Sequence, residues 1–167
     1  MTREGALLVI VAVALALIGV AVWAWSRRRR RDSGLAAPVG ELPSGAKTLA
    51  EHEVLYVATT RHDEPLERLA IEGLGFRSRA DLTVTDAGVA LDLTGLPRLF
   101  LARDRILTVD QATVAIDRVV EKDGLVRVAW QIDPDTLVDS YFRPQNSSAR
   151  VLAAQLGALT TTTGTDS

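Results

Sequence analysis

ATVAIDRVVEKDGLVRVAWQI, Ala112 to Ile132, is the stretch that decides the fold class. Its second half sets Val128, Trp130 and Ile132 on alternate positions, the period-two pattern of a strand with one face in a core. Its first half, Ala112 to Val120, is another apolar run, and Lys122-Asp123-Gly124 stands between the two. An Asp-Gly pair supplies the positive φ angles of a tight turn, so the spacing predicts a hairpin of Ala112 to Val120 with Leu125 to Ile132. Trp130 reads as a core residue rather than a ligand platform.

The same short period recurs on either side. Val54 to Ala58 form one strand; Leu82 and Val84 form another, ending at Thr85-Asp86-Ala87-Gly88, where the glycine suits a tight turn. Val89, Leu91 and Leu93 then alternate with Ala90 and Asp92. Leu99-Phe100-Leu101 and the group Ile106, Leu107 and Val109 straddle Arg103-Asp104-Arg105. Leu137, Val138, Tyr141 and Phe142 make a last strand, with Tyr141 and Phe142 on opposite faces, so one can be buried and the other offered to solvent or a partner. After Pro144 the period lengthens to that of a helix: Val151, Leu152, Leu156 and Leu159, with Asn146, Ser147 or Ser148 to cap it and Gly157 to weaken its end. The expected fold is mainly β. About seven antiparallel strands form a small barrel or sandwich over residues 49–159, capped by a C-terminal helix that buries apolar surface and hides an edge.

The N-terminal end has a different character. After residues 1–4, Gly5 to Trp25 contain no charged side chain, and about 31 Å of helix matches the hydrocarbon thickness of a bilayer. Residues 5–26 are therefore expected to form a transmembrane helix. Trp23 and Trp25 sit at its exit end, followed by Arg27, Arg28, Arg29, Arg30 and Arg31, a polybasic collar over 27–31 suited to anionic lipid phosphates. Only Arg3, beside Glu4, precedes the run, so the positive-inside rule predicts the N-terminus outside and the remainder in the cytoplasm, at the cell (inner) membrane. A cleaved secretory signal is disfavoured, because the apolar run is long and the basic block follows it. Residues 32–48, with Pro38, Pro43 and several glycines, read as a flexible linker, and residues 160–167 as a disordered polar tail.

Charge separates along the chain. The net formal charge is −2, but residues 32–167 carry −7 by themselves, so the domain is acidic while its collar is basic. An acidic domain on a long spacer is held off an anionic leaflet, and nucleic-acid binding is disfavoured. There is no cysteine, which removes thiolate metal sites and a cysteine nucleophile.

The order of anchor, basic collar, linker, seven strands and terminal helix resembles the bacterial PH-like domain proteins of actinobacteria. LFLARDRILTVDQATVAIDRVVEKDGLVRVAWQI, Leu99 to Ile132, is most similar to that family, with YFRP at Tyr141 to Pro144 similar to its closing strand. The resemblance implies a PH-like barrel over Leu49 to Leu159 capped by a helix, with no established catalytic activity or cofactor.

Catalytic and metal chemistry finds little support. His52 and His62, the only imidazoles, lie outside any HxxxH or HExxH spacing and read as solvent-facing polar residues; Ser147 and Ser148 lack a nucleophile elbow. Asp133, Asp135 and Asp139 superficially suggest calcium, but Pro134 breaks the loop and a turn accounts for them better. Gly73-Leu74-Gly75 lacks the third glycine of a dinucleotide fingerprint. In the loop Arg61-His62-Asp63-Glu64-Pro65, Asp63 and Glu64 cancel the field a phosphoinositide headgroup would need. Arg77 and Arg79, beside Phe76, are the better anion-binding candidates, since alternate strand positions share a face. The sequence reads as a non-enzymatic, cofactor-free, membrane-tethered binding or scaffolding module for a cytoplasmic protein. The alternative is small-anion or lipid-headgroup sensing, or transport assistance, through Arg77 and Arg79.

Overall fold

The computed structural model describes residues 3–32, 34–115, 118–119 and 124–160 and divides the chain into two compact units, residues 1–34 and 35–167. The first unit is a single helix, α1 (Arg3–Asp32), which runs without a break through the arginine block rather than ending before it. Arginine is a good helix former, so the collar continues the helical hydrogen bonding of the apolar run. Leu7–Asp32 is long and apolar enough to span a membrane, and none of its apolar window is buried in protein, unlike the core helix of a soluble domain. At the exit end, the Arg27 guanidinium carbon lies 5.5 Å from the centre of the Trp23 ring.

The second unit is built on an antiparallel sheet. Its strands are β1 (Thr48–Arg61), β2 (Glu64–Arg68), β3 (Ser78–Thr85), β4 (Gly88–Leu93), β5 (Leu99–Ala102), β6 (Ile106–Ala112), β9 (Leu125–Asp133) and β10 (Thr136–Pro144). A separate two-stranded hairpin, β7 (Val114–Ala115) with β8 (Arg118–Val119), lies between β6 and β9. The order across the main sheet is β5-β4-β3-β1-β10-β9-β6, with β2 pairing β1, and the sheet does not close into a barrel. The seven-strand path matches the expected number.

β1 joins the two halves of the sheet. Residues Thr48 to Tyr56 pair with β3 and Val54 to Arg61 with β10, and a register shift between Tyr56 and Ala58 marks a bulge where the strand passes from one half to the other. The extra residue also lets Tyr56 and Thr59 meet, their hydroxyls 2.9 Å apart.

Those hydroxyls belong to a hydrogen-bonded chain through the core. Trp130 Nε1 donates to Ser140 Oγ (2.9 Å), Ser140 and Thr59 share a bond of 2.7 Å, and the Tyr56 hydroxyl donates to the Leu74 carbonyl (2.8 Å). An indole only donates and a carbonyl only accepts, so the proton order is set: Trp130 to Ser140 to Thr59 to Tyr56 to Leu74. The indole N–H of Trp130 and the hydroxyl of Tyr56 are thereby satisfied where water is excluded. Phe142 packs on Tyr56 with ring centres 6.0 Å apart.

Burial raises the pKa of Tyr56, partly offset by its hydrogen bond to Thr59, and burial likewise raises that of Tyr141. Each phenol therefore holds its proton more tightly folded than unfolded. The stability this supplies is complete below the unfolded value of about 10 and is lost as pH rises beyond it. These are the only two tyrosines. Ultraviolet titration of the folded chain should show both phenols ionising above the ordinary tyrosine range; a normal titration of either would contradict their burial.

The hairpin expected around Lys122-Asp123-Gly124 is corrected. The partner of β9 is the earlier run β6, with Val109 opposite Val128 and Ala112 opposite Leu125, while Val114 and Ala115 turn into the small hairpin. Both runs are apolar enough to pair, and the tie is decided by tertiary packing of Ile106 and Val109 on the core. Residues 120–123, including most of the expected turn, lie outside the described residues, as does the tail from 161 onward. Tyr141 and Phe142 do face opposite sides, but both are buried: Phe142 in the main core, Tyr141 against Leu125 with Val57 and Ala112 around it.

The segment read as a spacer also behaves differently. Leu35 and Ala37 pack against the core, Ala36 bridges Glu72, and Val39 pairs with Leu99 along the outer side of β5. Phe100 N–H donates to the Pro38 carbonyl (2.8 Å) and Gly40 N–H to the Arg98 carbonyl (3.1 Å). Proline-rich sequence favours extended backbone, and an extended strap can satisfy a strand edge as well as it can span a gap.

α2 (Ala149–Gly157) ends at the predicted glycine and lies against β6, β9 and β10. Leu152 and Leu156 enter the core, and Ser148 caps the helix by accepting from Val151 N–H at 3.3 Å. Ser147 is used instead by His52, whose Nδ1 lies 2.9 Å from its hydroxyl while Nε2 meets Gln155 Oε1. His52 is thus a buried latch between β1 and α2, not a solvent-facing residue. Arg103 donates to the Leu159 carbonyl (3.0 Å), so a cation sits at the C-terminal end of the helix, where the dipole favours it.

Candidate functional site

An open sheet has two edges, and here they are treated differently. β5 carries the Pro38–Gly40 strap on its free side, which uses edge hydrogen-bonding groups that would otherwise face solvent. β6 has only β9 as a backbone partner among the described residues, so from Thr108 to Ala112 alternate residues turn their N–H and C=O outward. A bulge at Leu107 ends the regular ladder on one side, and Leu107, Thr108, Asp110 and Gln111 are exposed. The result is a short, regular, unpaired edge flanked by α2.

Next to this edge, four acidic or imidazole groups gather around one arginine. Asp139 on β10 is completely buried. Its Oδ1 lies 2.8 Å from His62 Nδ1, and its Oδ2 accepts from the Asp63 N–H at 3.0 Å. Asp63 reaches that position by adopting a left-handed backbone (φ 59°) in the β1–β2 turn, a conformation that aspartate tolerates better than most residues. Arg127 on β9 completes the cluster, at 2.9 Å from Asp110, 3.3 Å from Asp63 and 3.6 Å from Asp139. The hydrogen bond to Asp110 does most to raise the Arg127 pKa, with the charges of Asp139 and Asp110 adding to it against burial.

Ligand atoms of His62, Asp63 and Asp139 lie within 4.8 Å of one another, close enough to suggest a cation site. Arg127 already supplies the positive charge there, and an ion would have to compete with a guanidinium that touches both carboxylates. The cluster fixes the β1–β2 turn to β9 and β10 and ties β6 to β9 through Asp110. Asp133 and Asp135 are elsewhere: Asp133 Oδ1 accepts from the Asp135 N–H at 2.9 Å, making the β9–β10 connection the turn anticipated for them. Sequence reasoning weighed His62 and Asp139 separately and missed Arg127, because nothing local joins positions 62, 127 and 139.

Arg77 and Arg79 are both exposed. Arg79 lies in β3 opposite Leu55, whereas Arg77 precedes the strand in the β2–β3 connection, so they do not occupy alternate positions of one strand. Phe76 beside them is 88% exposed. Trp23, Trp25, Arg27, Arg30 and Arg31 lie on the last turns of α1, where they are exposed; Arg28 and Arg29 belong to the same helical stretch.

The chain is similar to the C-terminal domain of an unknown protein from Leishmania infantum (9% identity, TM-score 0.44, 70% of this chain and 86% of that one). It is also similar to the C-terminal phosphotyrosine interaction domain of APBB2 from mouse (13% identity, TM-score 0.48, 75% of this chain and 96% of that one). None of the curated proteins matches it. The bacterial PH domain-like family matches residues 19–156, from within the apolar helix to the last turns of α2. With its strands and terminal helix spanned by that match, the chain belongs to the bacterial PH domain-like family.

Proposed function

We propose that this chain is a membrane-tethered, non-catalytic binding module. α1 crosses the cell membrane once with its N-terminus outside, the arginines from Arg27 to Arg31 rest against anionic lipid on the inner face, and the PH-like domain works in the cytoplasm. Its open β6 edge takes an extended segment of a cytoplasmic protein as an added strand. The observation that carries this reading is the asymmetry of the sheet: β5 is covered by the chain's own strap, and the outer side of β6 has no strand partner among the described residues. Backbone groups of an added strand supply affinity, and side chains on alternate positions supply selectivity. The net charge of −7 over residues 32–167 favours a neutral or basic segment.

Hydrogen exchange tests the edge directly. In the chain alone, alternate amides from Thr108 to Ala112 should exchange rapidly while Gly40 and Phe100 on the covered edge exchange slowly. Addition of a partner recovered from cytosol should slow the β6 amides by about tenfold or more at saturation. A partner that binds while β6 exchange stays unchanged would place recognition elsewhere. Reporters fused after Ser167, one that folds only in the cytoplasm and one active only outside it, decide the topology: activity of the outer reporter overturns it.

A further inference from the structure

We infer that the β2–β3 connection around Phe76 is a second membrane contact, in which the Phe76 ring enters the interface of an anionic bilayer while Arg77 and Arg79 meet lipid phosphates. The inference rests on the reading of α1 as the anchor. Phe76 is the most exposed large apolar side chain of the described residues, at 88%, and it is followed at once by Arg77 and then Arg79. Neither guanidinium has a hydrogen-bond or ion-pair partner among the described residues. Other arginines of this unit are engaged, Arg98 with Asp92, Arg105 with the Gln131 and Ile132 carbonyls and Arg127 with three carboxylates, although Arg143 on β10, like Arg77 and Arg79, has no such partner among the described residues.

Chain connectivity supplies the second observation. Leu35, which follows the last residue of α1 by three positions in the sequence, packs on the domain core. Ala36 then bridges Glu72, and an added Cβ at Gly73 would meet Ala37 at 3.7 Å, so the strap enters the domain on the connection that carries Phe76. A loop packed on the segment that directly follows the anchor in the sequence, bearing an exposed ring and two cations without partners among the described residues, has the composition of an interfacial contact: aromatic body in the headgroup region, guanidinium groups on phosphate. The acidic balance of the domain as a whole does not oppose this at short range, because exposed charges farther away than about 10 Å are largely screened.

The chain has no cysteine, so one introduced by Gly75→Cys carries a bimane probe uniquely, beside an intact Phe76. An Ala16→Cys chain labelled in the same way reports on the anchor. Both are reconstituted at full length in phosphatidylcholine vesicles, with and without phosphatidylglycerol, containing lipids spin-labelled either at the headgroup or along the acyl chain. The expected result is acyl-chain quenching at position 16 in both vesicles. At position 75, headgroup quenching should rise about twofold or more with phosphatidylglycerol and be lost in the combined Phe76→Ser, Arg77→Ala, Arg79→Ala chain. Quenching at 16 without quenching at 75 overturns the inference while leaving the anchor in place. Quenching at 75 that survives the triple substitution overturns it too, since the short tether alone would then bring the loop near the surface. No quenching at 16 removes the anchor and the inference with it.

Discussion

Gly88→Ala unfolds or nearly unfolds the soluble unit, with a loss of about 3–5 kcal/mol. Gly88 opens β4 directly after the Asp86-Ala87 turn and pairs with Ala102 on β5. A Cβ there would lie 2.1 Å from the Leu101 carbonyl oxygen and 3.0 Å from both Ala102 Cα and Arg103 N, all of them backbone atoms that no rotamer change can move. Its φ of +149° is also a conformation that L side chains rarely adopt. To accept a methyl group, β5 would have to separate from β4. That would disturb the bond from Arg103 N–H to the Ala87 carbonyl (2.9 Å) and the β5 edge on which the strap is paired. The control is Gly95→Ala, also at positive φ (+78°) but with nothing within 4 Å of the added methyl, where only backbone strain of about 1–2 kcal/mol is expected. Denaturant unfolding of the full chain in detergent, followed by circular dichroism, compares them. Equal losses at the two positions would mean that β5 does not press on Gly88.

Arg127→Met is expected to cost about 3 kcal/mol, because it leaves the carboxylate of Asp139 buried without its cation. His62 and the Asp63 N–H would still face that carboxylate, but neither carries the fixed charge that the guanidinium does. Methionine keeps most of the aliphatic volume, so packing changes little and the loss reports mainly on charge. Adding Asp139→Asn should recover a substantial part of the loss, since a buried amide needs hydrogen bonds but no counter-ion. Simple addition of the two single losses in the double variant would reduce Arg127 to an ordinary surface cation. Because Asp110 shares the same guanidinium, Arg127→Met should also loosen β6 against β9, which hydrogen exchange of Thr108 to Ala112 can follow.

Much of the architecture was legible because the signals that carried it are local and periodic. The alternation of Val128, Trp130 and Ile132, the turn glycine at Gly88, the helical spacing of Leu152 and Leu156 and the uncharged run from Gly5 to Trp25 each depend on neighbours within a few residues. Their meaning survived folding. Strand partnership did not follow from such signals. Ala112 to Val120 and Ile106 to Ala112 are both apolar and rich in β-branched residues, and β9 pairs with whichever also buries Ile106 and Val109.

The candidate site was less legible still, since its members are distant in the chain. His52 meets Ser147 and Gln155 across 95 and 103 residues, and His62, Arg127 and Asp139 come from the β1–β2 turn, β9 and β10, whose adjacency is a property of the sheet order. The strap from Leu35 to Gly40 shows the same division. Its prolines and glycines determine that it is extended and not helical, but extended backbone can be a free spacer or a bound edge. Only the position of β5, with unpaired groups facing it, made it the latter. By itself, then, the sequence determined the elements and the polarity of the chain, a membrane-compatible helix followed by an acidic β domain, because dihedral preference and hydrophobic period act over short range. The tertiary structure alone decided which edge is closed, which is open and which charges share a counter-ion, because those depend on free energies of long-range contact that no local pattern encodes.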